Sequence, residues 1–273
     1  TGPEYASSVS MRMTAFSDAM AIAAGGAHSL AVRSDGTVWT WGHNYYGQLG
    51  DGARTPEIYG SGRLEPMPVP GMSGARLIAA GHAHSVVLTA DGTLWAWGRN
   101  NSGQLGDGTQ VDRLSPVRIA TGLDDIAAIS AGGDYTMLLK RDGTVWAWGA
   151  GYQPGGVQER PAPVPGLSGI ATIAAGHHTL ALTRDGSVLA WGYNGSGQIG
   201  DGTYDARNQE GALVLEDADR KGNPVGAERL GVLLHDHPTL RLAVLNTCES
   251  GRTAPDDAYG GAAQALVRAR IPC

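Results

Sequence analysis

The residue with the clearest chemical potential is Cys248, in the run LRLAVLNTCESG. A thiol just after a buried apolar strand and before a helix start sits in a field that lowers its pKa and favours the nucleophilic thiolate. It would still need a base within about 3 Å. His235 and His237 precede the strand Leu240 to Thr247 and Cys248 follows it. Eight extended residues hold those two ends ~26 Å apart, so the two imidazoles read as surface groups at a helix end. Metal binding is the second chemistry to weigh, through His28, His82, His84, His177 and His178. His28, His84 and His178 occupy matching places after Ala-Gly pairs, one in each copy of a repeated unit, so a structural hydrogen bond within the unit is the simpler reading. His82 and His84, two residues apart on a strand, form a weak metal pair with no carboxylate assigned. Asp51, Asp107 and Asp201 lie in G-D-G turns that lack the D-x-[DN]-x-[DN]-G spacing of a calcium loop. Glu216, Asp217 and Asp219 read as a solvated turn. No metal and no cofactor is expected.

These residues are carried by a repeat. Ile22–Gly52, Ile78–Thr109, Ile129–Gly156 and Ile173–Thr203 are copies of one sentence, aligned on Trp41, Trp97, Trp148 and Trp191 at intervals of 56, 51 and 43 residues. All seven Trp fall in it, and the fourth copy has Leu189 in place of the first Trp. Each copy places Asp-Gly between two β-prone runs, as in SLAVRSDGTVWTWG, which signals a hairpin whose turn tolerates φ > 0. The Ala-Gly pairs (Ala24-Gly25, Ala80-Gly81, Ala131-Gly132, Ala175-Gly176) suit a crowded inner strand near a propeller axis. A glycine-rich loop, G-x-N-x-x-G-Q-[LI]-G-D-G, follows in three copies, and the third reads GAGYQPGG instead. The Trp pairs read as blade core.

The pattern A-G-x-x-H-[ST]-L-A…D-G-x-[VL]-W-x-W-G…N-x-x-G-Q-[LI]-G-D-G resembles the regulator of chromosome condensation repeat family over about Ile22 to Thr203. That resemblance implies a β-propeller of four-stranded blades, usually seven to the ring, so four copies describe an incomplete propeller with two unpaired edges. The founding member's activity, guanine-nucleotide exchange on a small GTPase, is implied only through the resemblance.

Composition changes near residue 204. About a quarter of residues 205–273 are charged against about one in seven before, and Trp disappears. GALVLED and LRLAVLN read as strands, VGAERLGVLLHD and GGAAQALVRARI as helices, which predicts a parallel βαβ unit. LRLAVLNTCESG with DDAYGGAAQALVRARIP resembles the CHAT family of caspase-like cysteine peptidases, with Cys248 as the implied nucleophile. That family's His turn would lie upstream of LVLED, where this chain has GQIGDGTYDARNQEG, and the strand expected after Ile271-Pro272 is missing. The domains are therefore an N-terminal extension (1–21), four mainly-β propeller repeats (22–204) and a partial α/β CHAT-like segment (205–273).

The 273 residues hold 42 Gly and 14 Pro, too many for a helical bundle, while 42% hydrophobic residues exclude disorder. A net charge of −6 argues against a nucleic-acid partner, and no apolar run approaches a membrane span. Cys248 and Cys273 are too few for a disulfide framework, and no basic-then-apolar leader follows Thr1, so a cytoplasmic location is favoured. The expected function is a protein-interaction module that binds a protein partner through its blade loops, with the insertions Ala53–Met72 and Gln110–Leu123 as the contact regions. Self-association to complete the ring is a further expectation. The alternative is a cysteine peptidase that uses Cys248, with the propeller selecting substrates.

Overall fold

The computed structural model describes residues 10, 12–56, 62–119, 122–151, 156–203 and 214–215. Every regular element among them is a strand. Blade one comprises β1 (Ala19–Ala24), β2 (His28–Arg33), β3 (Val38–Gly42) and β4 (Arg63–Pro68). Blade two comprises β5 (Ala75–Ala80), β6 (His84–Thr89), β7 (Leu94–Gly98) and β8 (Arg113–Ile119). Blade three comprises β9 (Ile126–Ala131), β10 (Tyr135–Lys140), β11 (Val145–Gly149) and β12 (Gln158–Pro163). Blade four comprises β13 (Ile170–Ala175), β14 (His178–Thr183), β15 (Val188–Gly192) and β16 (Val214–Leu215). Each blade is an antiparallel meander in chain order, and the innermost strands β1, β5, β9 and β13 neighbour one another in turn. This is the mainly-β, incomplete propeller that the repeats imply. Among the described residues no helix is long and apolar enough to cross a membrane.

Two local features differ from the sequence reading. The Asp-Gly hairpins are not two-residue turns with both residues at positive φ. In the first, the Arg33 amide donates to the Thr37 carbonyl and the Gly36 amide to the Arg33 carbonyl, and Gly36 alone takes positive φ (78°). That is a three-residue turn with a glycine bulge. Asp35 contributes through its carboxylate, which accepts from the Thr37 amide at 2.9 Å. Asp91, Asp142 and Asp185 repeat that bond with Thr93, Thr144 and Ser187.

The insertions Ala53–Met72 and Gln110–Leu123, read as free contact loops, contain the outer strands β4 and β8. Their prolines Pro66, Pro68 and Pro116 are tolerated because the strands lie at sheet edges. Val214–Leu215, within the GALVLED run assigned to the α/β segment, pairs with β15 as the outer strand of blade four. Apart from those two residues, positions 204–273, including Cys248, His235, His237 and the remaining CHAT-like segment, lie outside the described residues.

The apolar core lies between blades. Leu30, Val32 and Val38 of blade one cluster with Val87 and Trp97 of blade two. Val86, Leu88 and Leu94 of blade two cluster with Leu138 and Trp148 of blade three, and Met137, Leu139 and Val145 with Ala181 and Trp191 of blade four. The second Trp of copies two to four (Trp97, Trp148 and Trp191) is thus a joint to the preceding blade rather than a filler of its own. A buried indole removes 150–250 Å² from water, worth on the order of 4–6 kcal/mol.

Candidate functional site

Two of the histidines singled out by the sequence, His28 and His84, form joints between blades. His28 Nε2 lies 2.9 Å from Ser85 Oγ, and His84 Nε2 lies 2.9 Å from Thr136 Oγ1, so each bond crosses to the next blade instead of staying within one. Ser85 and Thr136 donate onward to the carbonyls of Gln48 and Gln104, both at 2.8 Å. The same two carbonyls accept from Trp97 Nε1 at 2.9 Å and Trp148 Nε1 at 2.8 Å. Blade three carries Tyr135 at the histidine's place, and its hydroxyl meets Thr179 Oγ1 at 2.7 Å. Glycines make room: a Cβ on Gly25, Gly81 or Gly132 would fall within 2.4 Å of the ring of His28, His84 or Tyr135.

This chemistry rules out a catalytic Ser–His pair. The Ser85 proton is committed to a carbonyl, so the imidazole of His28 must donate through Nε2–H and cannot act as base. Burial lowers the pKa of His28 to about 4, helped by repulsion from His43 and His82. Burial lowers that of His84 to about 3, with His28 and His82 adding repulsion. Both rings are neutral at pH 7, and neither Nδ1 has a partner among the described residues. His82 is exposed while His84 is fully buried, so the pair does not converge. No group of three His, Cys, Asp or Glu among the described residues could hold a metal ion.

The glycine-rich loops are braced from within. Asn100 is buried; its Oδ1 accepts from the Leu105 amide, and its Nδ2 donates to Asp107 Oδ1 and to the carbonyls of Thr109 and Val111. Asn44 and Asn194 repeat the amide bond with Leu49 and Ile199. Asp51, Asp107 and Asp201 accept from the amides of Ala53, Thr109 and Thr203 as turn formers. Arg63 and Arg113 pair with Asp51 and Asp107.

These rigid loops present one face. His43, Arg99 and Tyr193, each following its W-G, hydrogen-bond through their amides to Ala27, Ala83 and His177 in the turns between the first and second strands. On this face the Tyr45 and Tyr46 rings meet edge to face at 4.8 Å, and the Arg99 guanidinium lies 5.0 Å over Tyr46. Arg99 also reaches Asp134 at 3.5 Å, and Gln104 Nε2 donates to the same carboxylate oxygen at 3.2 Å. Gln48 fixes the blade-one side, its Oε1 accepting from the Tyr46 amide and its Nε2 lying 3.0 Å from His43 Nδ1. The result is an aromatic–cationic patch across three blades on a preorganised scaffold, of the composition that dominates protein interfaces. Sequence reasoning missed Tyr45, Tyr46 and Arg99. The available signal was their variability inside a fixed frame: G-H-N-Y-Y-G, G-R-N-N-S-G and G-Y-N-G-S-G.

A family model described as RCC1-like domain matches residues 4–223. The human "Probable E3 ubiquitin-protein ligase HERC3" is 38% identical over 133 residues, which are 48% of this chain and 12% of that protein. Human WBSCR16 superposes with a TM-score of 0.64 at 25% identity, covering 75% of this chain and 55% of its own. Yeast RCC1 (Prp20), solved with Kap60 bound, superposes with a TM-score of 0.63 at 24% identity, covering 74% and 49%. The chain therefore spans about half of those solved chains and a far smaller share of the ligase.

Proposed function

Since this chain belongs to the RCC1-like domain family, we propose that it is a protein-interaction module that recognises its partner through the Tyr45–Tyr46–Arg99–Asp134 face. The observation that carries this reading is the Arg99 guanidinium, held over Tyr46 and braced by Asp134, on loops whose buried Asn and Gln side chains leave them little freedom. Preorganised aromatic and Arg side chains lose little entropy on binding. Because the Ala53–Met72 and Gln110–Leu123 stretches contain β4 and β8, exchanging them whole would dismantle two blades, so the test uses point changes. A photo-crosslinking residue at exposed position 101 identifies the partner, and calorimetry then compares variants. Tyr46→Ala and Arg99→Ala should each weaken binding by at least about tenfold. Unchanged binding in both, with a loss on Asp91→Ala at the opposite face, overturns the assignment.

The CHAT resemblance supports a second proposal, that Cys248 is a peptidase nucleophile in an appended segment. Labelling by a thiol-directed activity probe that vanishes in Cys248→Ala would carry it, and no labelling removes it. Guanine-nucleotide exchange rests on the family resemblance alone and is read directly by nucleotide release from a small GTPase.

A further inference from the structure

The hairpin end of blade two, opposite the Tyr45–Tyr46–Arg99 face, holds a cleft of about 380 Å³ between the turn 71–74 and the β6–β7 hairpin. Trp95, which also packs against the core shared by blades one and two, lines it together with Thr89 and Asp91.

The same place in blade one is filled. Thr89, Gly74 and Trp95 repeat Arg33, Asp18 and Trp39. Arg33 and Thr89 end β2 and β6, and the carbonyls of Asp18 and Gly74 accept from the amides of Ser34 and Ala90 at 2.9 and 2.8 Å. In blade one the Arg33 guanidinium lies 5.2 Å from the Trp39 ring centroid, and its Nε donates to Asp18 Oδ1 at 2.9 Å and Oδ2 at 3.1 Å. Blade three keeps a cation at this position, Lys140, which lies 3.9 Å from Asp142. Blade four has Leu189 in place of the Trp. Blade two alone sets the indole beside a short residue, so its cleft stands where blade one seats a guanidinium.

The charge suits a cation as well. Asp91 is the one charged side chain in the lining. Thr89 Oγ1 at 2.6 Å and the Thr93 amide at 3.0 Å both donate to Asp91 Oδ1 and hold its pKa below 3.8, so the carboxylate is ionised and Oδ2 is left outside those two bonds. Arg76, close by in the chain, is engaged elsewhere, its guanidinium donating to the Ile126 carbonyl of blade three at 2.7 Å. An indole beside a carboxylate favours a guanidinium, which is flat, weakly hydrated and able to stack.

We propose that this cleft takes an arginine side chain of a partner protein, with its guanidinium over the Trp95 ring and against Asp91. The site is separate from the Tyr45–Tyr46–Arg99 face, and its test uses a small ligand, so either assignment can fail alone.

The probe is N-acetyl-arginine amide, titrated into the full chain and read on the indole N–H resonances by NMR, with Trp95→Phe to assign the Trp95 signal. That signal should shift saturably, with a dissociation constant in the millimolar range of a single side-chain contact, while the signal of Trp39, already covered by Arg33, stays in place. The neutral analogue N-acetyl-citrulline amide should bind about tenfold more weakly, and Asp91→Asn should weaken the arginine probe about threefold. Free L-arginine should bind no more tightly than the probe, because no cation in the lining can pair with its α-carboxylate. Tenfold tighter binding of the free amino acid would overturn a protein as the source. Thr89→Arg with Gly74→Asp rebuilds the blade-one arrangement. Gly74 takes φ 67°, Asp125 already adopts φ 59° at the matching position, and a Cβ on Gly74 meets nothing within 4 Å. This variant should unfold as cooperatively as the wild type and no longer bind the probe. No shift at Trp95, equal binding of the citrulline analogue, or a folded double variant that binds like the wild type would each overturn the proposal.

Discussion

Acidification should loosen the joints between blades before it protonates the carboxylates, and the size of the effect follows from two imidazoles. His28 and His84 titrate at an ordinary 6.5 when exposed and at about 4 and about 3 in the fold. Between those limits the unfolded chain binds protons that the native chain refuses, so stability is complete above about pH 6.5 and falls as pH falls. At pH 5 each site costs about 2 kcal/mol, together about 4 kcal/mol, a large part of the 5–15 kcal/mol typical of a folded domain. Asp35, Asp91, Asp142 and Asp185 have pKa values held below 3.8 by hydroxyls of neighbouring Thr side chains or the Ser187 amide, so their stabilisation is lost only in stronger acid. The assay is the urea midpoint of unfolding from pH 7.5 to pH 5. The control is His28→Tyr with His84→Tyr, since blade three already fits Tyr135 against its glycine and bonds it to Thr179. The double variant should lose most of the pH slope and keep the joint. A flat wild-type profile, or an unchanged slope in the double variant, would refute the reasoning.

Three further outcomes follow from the loops. Gly106→Ala, at φ 78° and with its methyl against the Trp148 indole, should cost about 3 kcal/mol or more in chemical unfolding, whereas Gly200→Ala, at φ 79° in open space, should cost about 1 kcal/mol. Asn100→Ala removes the acceptor of the buried Leu105 amide and one of several donors to the Asp107 carboxylate, and calorimetry should show a loss of about 2–4 kcal/mol. Trp97→Phe should cost about 1–3 kcal/mol by leaving the Gln48 carbonyl one donor short; a smaller loss than that of Gly106→Ala would agree with the packing.

The hairpins and their Trp strands were legible because Asp-Gly turns and aromatic runs are local signals. Strands β4, β8 and β12 were not. RLEPMP, RLSPVRI and QERPAP carry proline and charge without alternation, as outer strands tolerate, and so they read as loop. The histidine joint was hidden for another reason. His28 and Ser85 are 57 residues apart, close to one repeat period, and a sequence cannot tell a bond within a copy from one between copies. The hint was the recurring pair His28-Ser29, His84-Ser85, Tyr135-Thr136 and His178-Thr179, which puts a donor ring and a hydroxyl in every copy. The candidate patch was illegible because Tyr46, Arg99 and Asp134 belong to three different copies and meet only once the copies stand side by side.

The Gln48 and Gln104 carbonyls, each accepting a serine or threonine and an indole from the neighbour, have a genetic corollary. Copies one and two each own the accepting half of a latch and meet the donating half only in the successor. Unequal recombination that adds or drops one whole period leaves each surviving latch with both halves, whereas a breakpoint inside a period orphans a carbonyl and strands an indole. Copy number in such a gene is therefore free to drift in whole steps, and the blade count of an ancestor need not equal that of its descendants.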